Sequence, residues 1–223
     1  MAIPITCPPS ELMRPKDAHW SLFEFDLLQT LATRLRMLAT PQIASVWGMQ
    51  PEEVACRVEP LVTSGLLEMY TINAHPLLQP TRPVFGWQPG TPAPDVDITS
   101  RAVKSRWCSP SVPTGIVIAS KKTANLFGAD CHGLPKVEER DHDLLLADAF
   151  VAHRTSRRSS ALRWIGEDFL PKAGYKIKDP DAFLLGNDGE PIGVIESGGR
   201  YGSKQIASFH DYCESLALPY ELW

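Results

Sequence analysis

The residues whose types and spacing offer chemistry lie in the last third of the chain. Asp181 follows Pro180 and opens the apolar run Ala182–Leu185; Glu196 closes the run Pro191–Glu196. Between the two runs, Asn187-Asp188-Gly189 is a hairpin turn signal. A hairpin sets the first residue of one strand beside the last residue of the next, so Asp181 and Glu196 are expected side by side at one end of a sheet. Two carboxylates held that close repel each other unless a cation lies between them. Hard oxygen donors suit Mg²⁺ or Mn²⁺, which keep several waters and accept a phosphate oxygen. Such a centre can activate water and stabilise charge on a phosphodiester. The competing reading is two solvated carboxylates at strand ends.

The surrounding pattern supplies elements to hold the pair. Asp141 can cap a helix reaching about His153, with Leu144, Leu145, Ala149 and Phe150 on its buried side. Arg163–Leu170 is ambiguous. Ser197–Gly202 is a glycine-rich loop, Ser203 can cap a final helix with Ile206, Phe209, Cys213 and Leu216 on its apolar face, and Pro219–Trp223 reads as an edge strand. In the first third, Phe23, Leu27, Leu28, Leu31, Leu35 and Leu38 recur at helical spacing. Thr40 can cap a second helix that Gly48 stops. Gln50–Glu53 opens a third helix with Val54, Val58, Leu61 and Val62 on its apolar face. Pro60 inside it would cost roughly 3 kcal/mol, so a kink or an end is expected there. Leu66–Ile72 reads as a strand and Pro83–Trp87 as its return. Three helices followed by a two-stranded ribbon is the order of a winged helix. Residues 88–113 read as a linker rich in Pro, Gly and Asp near its start, and Gly115–Ala119 as a strand or the start of a helix running to Phe127. The expected fold is α+β, with an irregular arm (1–18), a winged-helix domain (19–90), a connector (91–138) and a nuclease-like α/β domain (139–223).

A helix, a hairpin carrying Pro-Asp and Glu, then a helix and a strand resembles the PD-(D/E)xK nuclease superfamily over about residues 140–223. Taken with the N-terminal module, the chain resembles the replication-relaxation family, which pairs these two modules. His142 at the helix start, PDAFLL, IGVIESGG and SKQIASFHDYC carry the fit. The resemblance implies a metal-dependent DNA endonuclease or nickase working on plasmid or mobile-element DNA, with Asp181 and Glu196 holding Mg²⁺ or Mn²⁺. It also implies a lysine at position 198, where this chain has Gly198. Lys204, in the first turn of the next helix, is the nearest cationic substitute and completes the expected catalytic set with Asp181 and Glu196; Arg200 is a second candidate. Without a working substitute the chain is instead a non-enzymatic DNA-binding or assembly protein on a retired nuclease fold, needing no metal. A third reading is a winged-helix regulator whose C-terminal domain mediates dimerisation.

The formal net charge is −4, so a DNA surface must be a local basic patch. The candidates are Arg57, Arg101, Lys104, Arg106, Lys121, Lys122, Arg154, Arg157, Arg158 and Arg200. Arg57 shares the third helix with Glu52, Glu53 and Glu59, which repel phosphate. DNA contact and protein assembly or dimerisation both stay open for that module. The 5 cysteines are scattered without a C-x-x-C pair, which argues against a disulfide framework and a structural zinc site and for a reducing cytoplasm. No run approaches the roughly 18 apolar residues of a membrane span, and the first residues lack a signal-peptide pattern. There is no G-x-S-x-G and no P-loop. Duplex DNA is the expected partner, and no membrane.

Overall fold

Local chemistry sets where the first helices start. In the computed structural model, which describes residues 20–156, 163–166 and 180–223, Ser21 caps helix α1 (Leu22–Thr33) in a reciprocal capping box with Glu24. The helix ends earlier than its apolar spacing predicts. The N–H groups of Arg34 and Leu35 both donate to the Thr30 carbonyl, and Leu38 passes into strand β1 (Leu38–Ala39). Leu35 and Leu38 are buried as expected, but burial at helical spacing does not fix the backbone. In α2 (Thr40–Trp47), Thr40 is already helical, and the Gln42 side chain accepts from the Ala39 N–H at the cap. Gly48 stops α2 in the left-handed region at φ 64°. Pro60 does not break α3 (Pro51–Thr63). The bond it forfeits would reach Cys56, on the exposed side of the helix.

Strand β2 (Leu67–Ala74) does not return through Pro83–Trp87. It pairs along its length with β4 (Val112–Ala119), from Leu67↔Ala119 to Ala74↔Val112, and β1 pairs with the other side of β4, giving the order β1-β4-β2. The Ile116-Val117-Ile118 run that allowed either helix or strand is thus a central strand, and the helix after it is separate, α5 (Lys121–Leu126). The anticipated return strand is β3 (Phe85–Trp87), and it joins a second sheet beside β8 (Tyr220–Leu222). Its aromatic content decides this: Trp87 stacks on Tyr220 at 5.8 Å between ring centroids and meets His210 edge-on at 5.1 Å. Residues 75–111 are therefore one excursion between two paired strands. It contains a helix where a linker was expected, α4 (Val96–Ser105), capped by Asp95 and burying Thr99, Ser100 and Val103.

Helix α6 (Val137–Thr155) starts four residues before Asp141, so that residue is internal and not a cap. It leads to β5 (Arg163–Gly166), β6 (Ala182–Leu185) and β7 (Pro191–Glu196), an antiparallel meander. Helix α7 (Ser203–Ser215) then crosses over to β8, which runs parallel to β7. Its cap is Gly202, held by the Gln205 side chain, and Ser203 is its first helical residue. The sheet order is β3-β8-β7-β6-β5, so β8 is interior and β3 takes the edge. Trp164, Ala182, Leu184, Ile195 and Trp223 pack with α6 and α1. Phe183, Leu185, Val194 and Leu222 pack with α4 and α7 through Val103, Ile206 and Phe209. Burial on both faces explains the continuous apolar runs. Residues of the 19–90 and 139–223 segments share one core. The described cysteines form no disulfide, and no helix among the described residues is long and apolar enough to cross a membrane.

If β3 is part of the second core, Trp87→Ala should lower unfolding free energy by about 3–5 kcal/mol in urea titrations. A Trp in a linker would change it by no more than about 0.5 kcal/mol.

Candidate functional site

Pairing of Ala182 with Ile195 sets Asp181 opposite Glu196 across the β6–β7 hairpin, as their spacing predicts. Both are buried, with Asp181 4% and Glu196 0% exposed. Desolvation at this level penalises a carboxylate unless donors or a counter-charge compensate. Compensation comes from different sides. Asp181 Oδ2 accepts from the Ser197 N–H at 2.7 Å and from His142 Nε2, on α6, at 2.9 Å. Glu196 Oε1 accepts from the Tyr201 hydroxyl, in the loop before α7, and Oε2 lies 3.4 Å from the Asp181 N–H. The Glu196 charge also reaches α7: burial first and then Glu196 push the Cys213 thiol up.

Among the described residues, His142 supplies a counter-charge to Asp181. Its Nδ1 lies 3.1 Å from Asp143 Oδ1, so the ring bridges two carboxylates. Burial works against the charge, but Asp181 and Asp143 outweigh it and raise the pKa to about 10. That shift favours the imidazolium, the form in which both ring nitrogens donate. Asp143 is 6% exposed, and its second oxygen is buried without a hydrogen-bond partner. Asp143 and Asp181 line one cavity together with Arg34, Arg36 and His132.

These residues do not fit the expected Mg²⁺ or Mn²⁺ as arranged. A divalent ion at Asp181 would have to displace the His142 ring and the Ser197 N–H from Oδ2, and Glu196 is fully buried with Oε1 held by Tyr201. Among the described residues, no three His, Cys, Asp or Glu side chains form a group that could hold a metal. Position 198 is tightly packed. A Cβ built on Gly198 would lie 3.0 Å from Val103 Cγ1, 3.1 Å from Leu222 Cδ1 and 3.2 Å from the Trp223 carbonyl oxygen. The Gly198 N–H donates to that same oxygen at 2.7 Å. A side chain at 198 would need Val103, Leu222 and the Trp223 carbonyl to give by a few tenths of an ångström, so glycine is the residue that fits this close approach of β7, β8 and α4 without adjustment.

Helix α4 holds the loop after β7. Ser100 Oγ donates to the Tyr201 carbonyl at 2.8 Å, and Trp107 Nε1 donates to the Gly199 carbonyl at 2.6 Å. Trp107, half-buried, also meets the His75 ring edge-on. Sequence reasoning passed over Tyr201, Asp143 and α4, and read His142 chiefly as a packing or capping residue. The tripeptide Asp141-His142-Asp143, an imidazole between two acids, is the signal that could have found the ion pair. Asp141 itself turns to another partner, His75, accepting from its backbone N–H at 2.7 Å and lying 2.6 Å from its Nδ1.

The candidate cations divide. Arg57 pairs with Glu53 at 3.1 Å and lies over the Phe23 ring, and Arg154 pairs with Asp26 at 2.7 Å. Arg106 turns inward: its Nη1 is buried without a hydrogen-bond partner, and burial lowers its pKa while Asp148 raises it. Lys122 donates to the Ser64 carbonyl at 3.3 Å, and Lys121 is exposed. Arg101, Lys104, Arg200 and Lys204 are exposed; no contact joins Lys204 to Glu196 among the described hydrogen bonds and ion pairs. Arg157 and Arg158 lie outside the described residues. Comparison with protein-family models, with curated proteins and with solved structures finds no match to this chain.

A pKa raised from 6.5 to about 10 gives the His142 ion pair a defined pH signature. Its contribution to stability is full below 6.5, declines as pH rises between the two values, and is gone above about 10. The stability difference between wild type and His142→Gln, measured by chemical denaturation, should therefore shrink steadily from pH 6.5 towards pH 10. Gly198→Lys should destabilise the chain by about 1–3 kcal/mol through overpacking, as read from the shift of its denaturation midpoint, and should not generate nuclease activity.

Proposed function

We propose that this chain is a DNA-binding protein in which a winged helix is joined to a nuclease-like domain that does not cut. The order α1, β1, α2, α3, β2, β4 with sheet order β1-β4-β2 supports the winged-helix part, the excursion 75–111 standing where a wing would be. The order α6, β5, β6, β7, α7, β8, an antiparallel meander with a parallel fourth strand, supports the nuclease-like part and the resemblance to the replication-relaxation family. The observation that carries the non-cutting reading is His142. Its imidazolium lies 2.9 Å from Asp181 and 3.1 Å from Asp143, in the place a catalytic cation would need.

In this reading the chain's own residues neutralise the acidic centre. His142 holds Asp181, Tyr201 holds Glu196, and the Ser197 N–H fixes the end of β7. DNA is held through phosphates by surface cations, a mode of binding that weakens steeply with salt. The third helix is poorly suited to this, because Glu52, Glu53 and Glu59 are exposed and Arg57 is already paired.

Binding to a labelled duplex and nicking of supercoiled plasmid test the reading together. Binding at low salt should be equally tight in EDTA and in Mg²⁺, and plasmid should stay intact with Mg²⁺ or Mn²⁺. Nicking that requires Mn²⁺ and disappears in Asp181→Asn and Glu196→Gln would establish the metal-dependent nuclease instead. Absence of binding at low salt would remove the DNA reading.

A further inference from the structure

Four cations from two separate stretches of sequence gather around one loop. Arg101 and Lys104 are three residues apart on α4, and so on one side of it. Arg200 lies in the loop after β7, and Lys204 in the first turn of α7; all four are exposed. Their supports are tied together. Ser100 and Trp107 hold the carbonyls of Tyr201 and Gly199, Ser203 Oγ donates to Asp97 Oδ1 at 2.6 Å, and α4 packs against α7. A Cβ built on Gly202 would lie 3.9 Å from Lys104 Nζ, which places that ammonium over the loop. None of the four is in an ion pair among the described residues, whereas Arg34, Arg57 and Arg154 all are. At the start of α4, Asp95 is engaged by the cap and Asp97 by Ser203, and Asp211 lies about two turns along α7 from Lys204.

We infer that this surface, built jointly by α4 and the start of α7, is where the chain holds the phosphate backbone of duplex DNA. The inference rests on the DNA-binding reading above and gives it a location. On a chain of net charge −4, most of the surface repels a polyanion, so an unpaired local cluster both attracts and orients it. The aromatic residues nearby decide between duplex and single strand. Binding of single strands depends on exposed rings on which bases stack. Trp107 and Tyr201 are half-buried and committed by hydrogen bonds to Gly199 and Glu196, which leaves long flexible cations as the contacting groups. The patch also needs the excursion 75–111, because α4 supplies two of its four charges.

The test is anisotropy titration of a labelled duplex between about 50 and 200 mM salt. The four-site alanine variant (Arg101, Lys104, Arg200 and Lys204) should bind at least tenfold more weakly at the low end and lose about 3–4 from the slope of log K against log salt, by about 0.9 per phosphate contact. Each single replacement should lose about 0.9 of that slope, so the result does not hang on the stability of the four-site variant. Arg82→Ala with Lys136→Ala, exposed cations elsewhere, should leave affinity and slope unchanged. If wild type binds and the four-site variant binds with the same slope, the location is wrong and the DNA-binding reading stands. If wild type prefers the single strand of the same sequence, the duplex assignment falls. If wild type binds neither, the location and the DNA-binding reading fall together.

Discussion

The structure depends on burial of α6. Eight consecutive residues, Asp143 to Phe150, are buried, which takes up every side of the helix over two turns. One side packs against α1 and α2, and another against the second sheet, so α6 is the common wall of both sheets' cores. That burial includes two carboxylates, and each needs partners from elsewhere in the chain. Asp148 receives Gln42 Nε2 at 2.7 Å and the Gln79 N–H at 3.0 Å, while burial raises its pKa despite them. Gln42 also caps α2 and donates to the Leu144 carbonyl, so a single amide fixes α2 on α6. Asp143 receives His142. The polar demands of one buried helix thus set how the N-terminal elements meet it and draw an imidazolium to the hairpin.

The excursion 75–111 answers to the same helix. His75 binds Asp141 and Gln79 binds Asp148, so the excursion leaves β2 along α6. It then supplies β3 to one edge of the second sheet and α4 to the loop after β7. This explains why a stretch rich in proline and glycine is ordered: its ends are fixed by paired strands β2 and β4, and its middle by Trp87 and Val103 in the second core. A segment anchored at four places by buried groups no longer acts as a linker, whatever its composition.

Much of the C-terminal arrangement was legible in the sequence because it rests on local signals. The Asn187-Asp188-Gly189 turn and two apolar runs were enough to place Asp181 opposite Glu196. Five of the helices were legible and α5 stood as one of two alternatives, but α4 was missed where a linker was read, and helix starts moved where another side chain took the capping role, as Gln42 in the first turn of α2 does in place of Thr40. Strand pairing in the first half was not legible. Both Phe85–Trp87 and Ile116–Ile118 could return beside β2, and sequence distance favoured the wrong one. The choice is made by a contact between Trp87 and Tyr220, more than a hundred residues away, which no local pattern carries. The site was half legible for the same reason. The carboxylates are marked by strand ends, whereas their partners His142 and Tyr201 come from a helix and a loop whose approach only the packed fold defines.

Gly198 and His142 are two sides of one electrostatic requirement. Buried carboxylates at the end of a hairpin need positive charge or donors nearby, and the resemblance predicts a metal and a lysine at position 198. Here a Cβ at 198 would come within 3.0–3.2 Å of Val103, Leu222 and the Trp223 carbonyl oxygen, so a side chain needs those neighbours to give way. The compensating charge comes instead from α6, where an imidazolium between Asp143 and Asp181 is a third exposed, at 33%, and so in reach of both carboxylates and solvent. A ring bonded at both nitrogens is a fixed cation, unlike a hydrated ion that can exchange water for a phosphate oxygen. Helix α4 is held to the loop by Ser100 and Trp107 and keeps Arg101 and Lys104 exposed. Positive charge is thereby divided between an interior imidazole held by Asp143 and Asp181 and surface groups turned towards solvent. An imidazolium shared by Asp143 and Asp181 offsets one carboxylate charge at the hairpin end, so that end presents a weaker negative field than three bare carboxylates would.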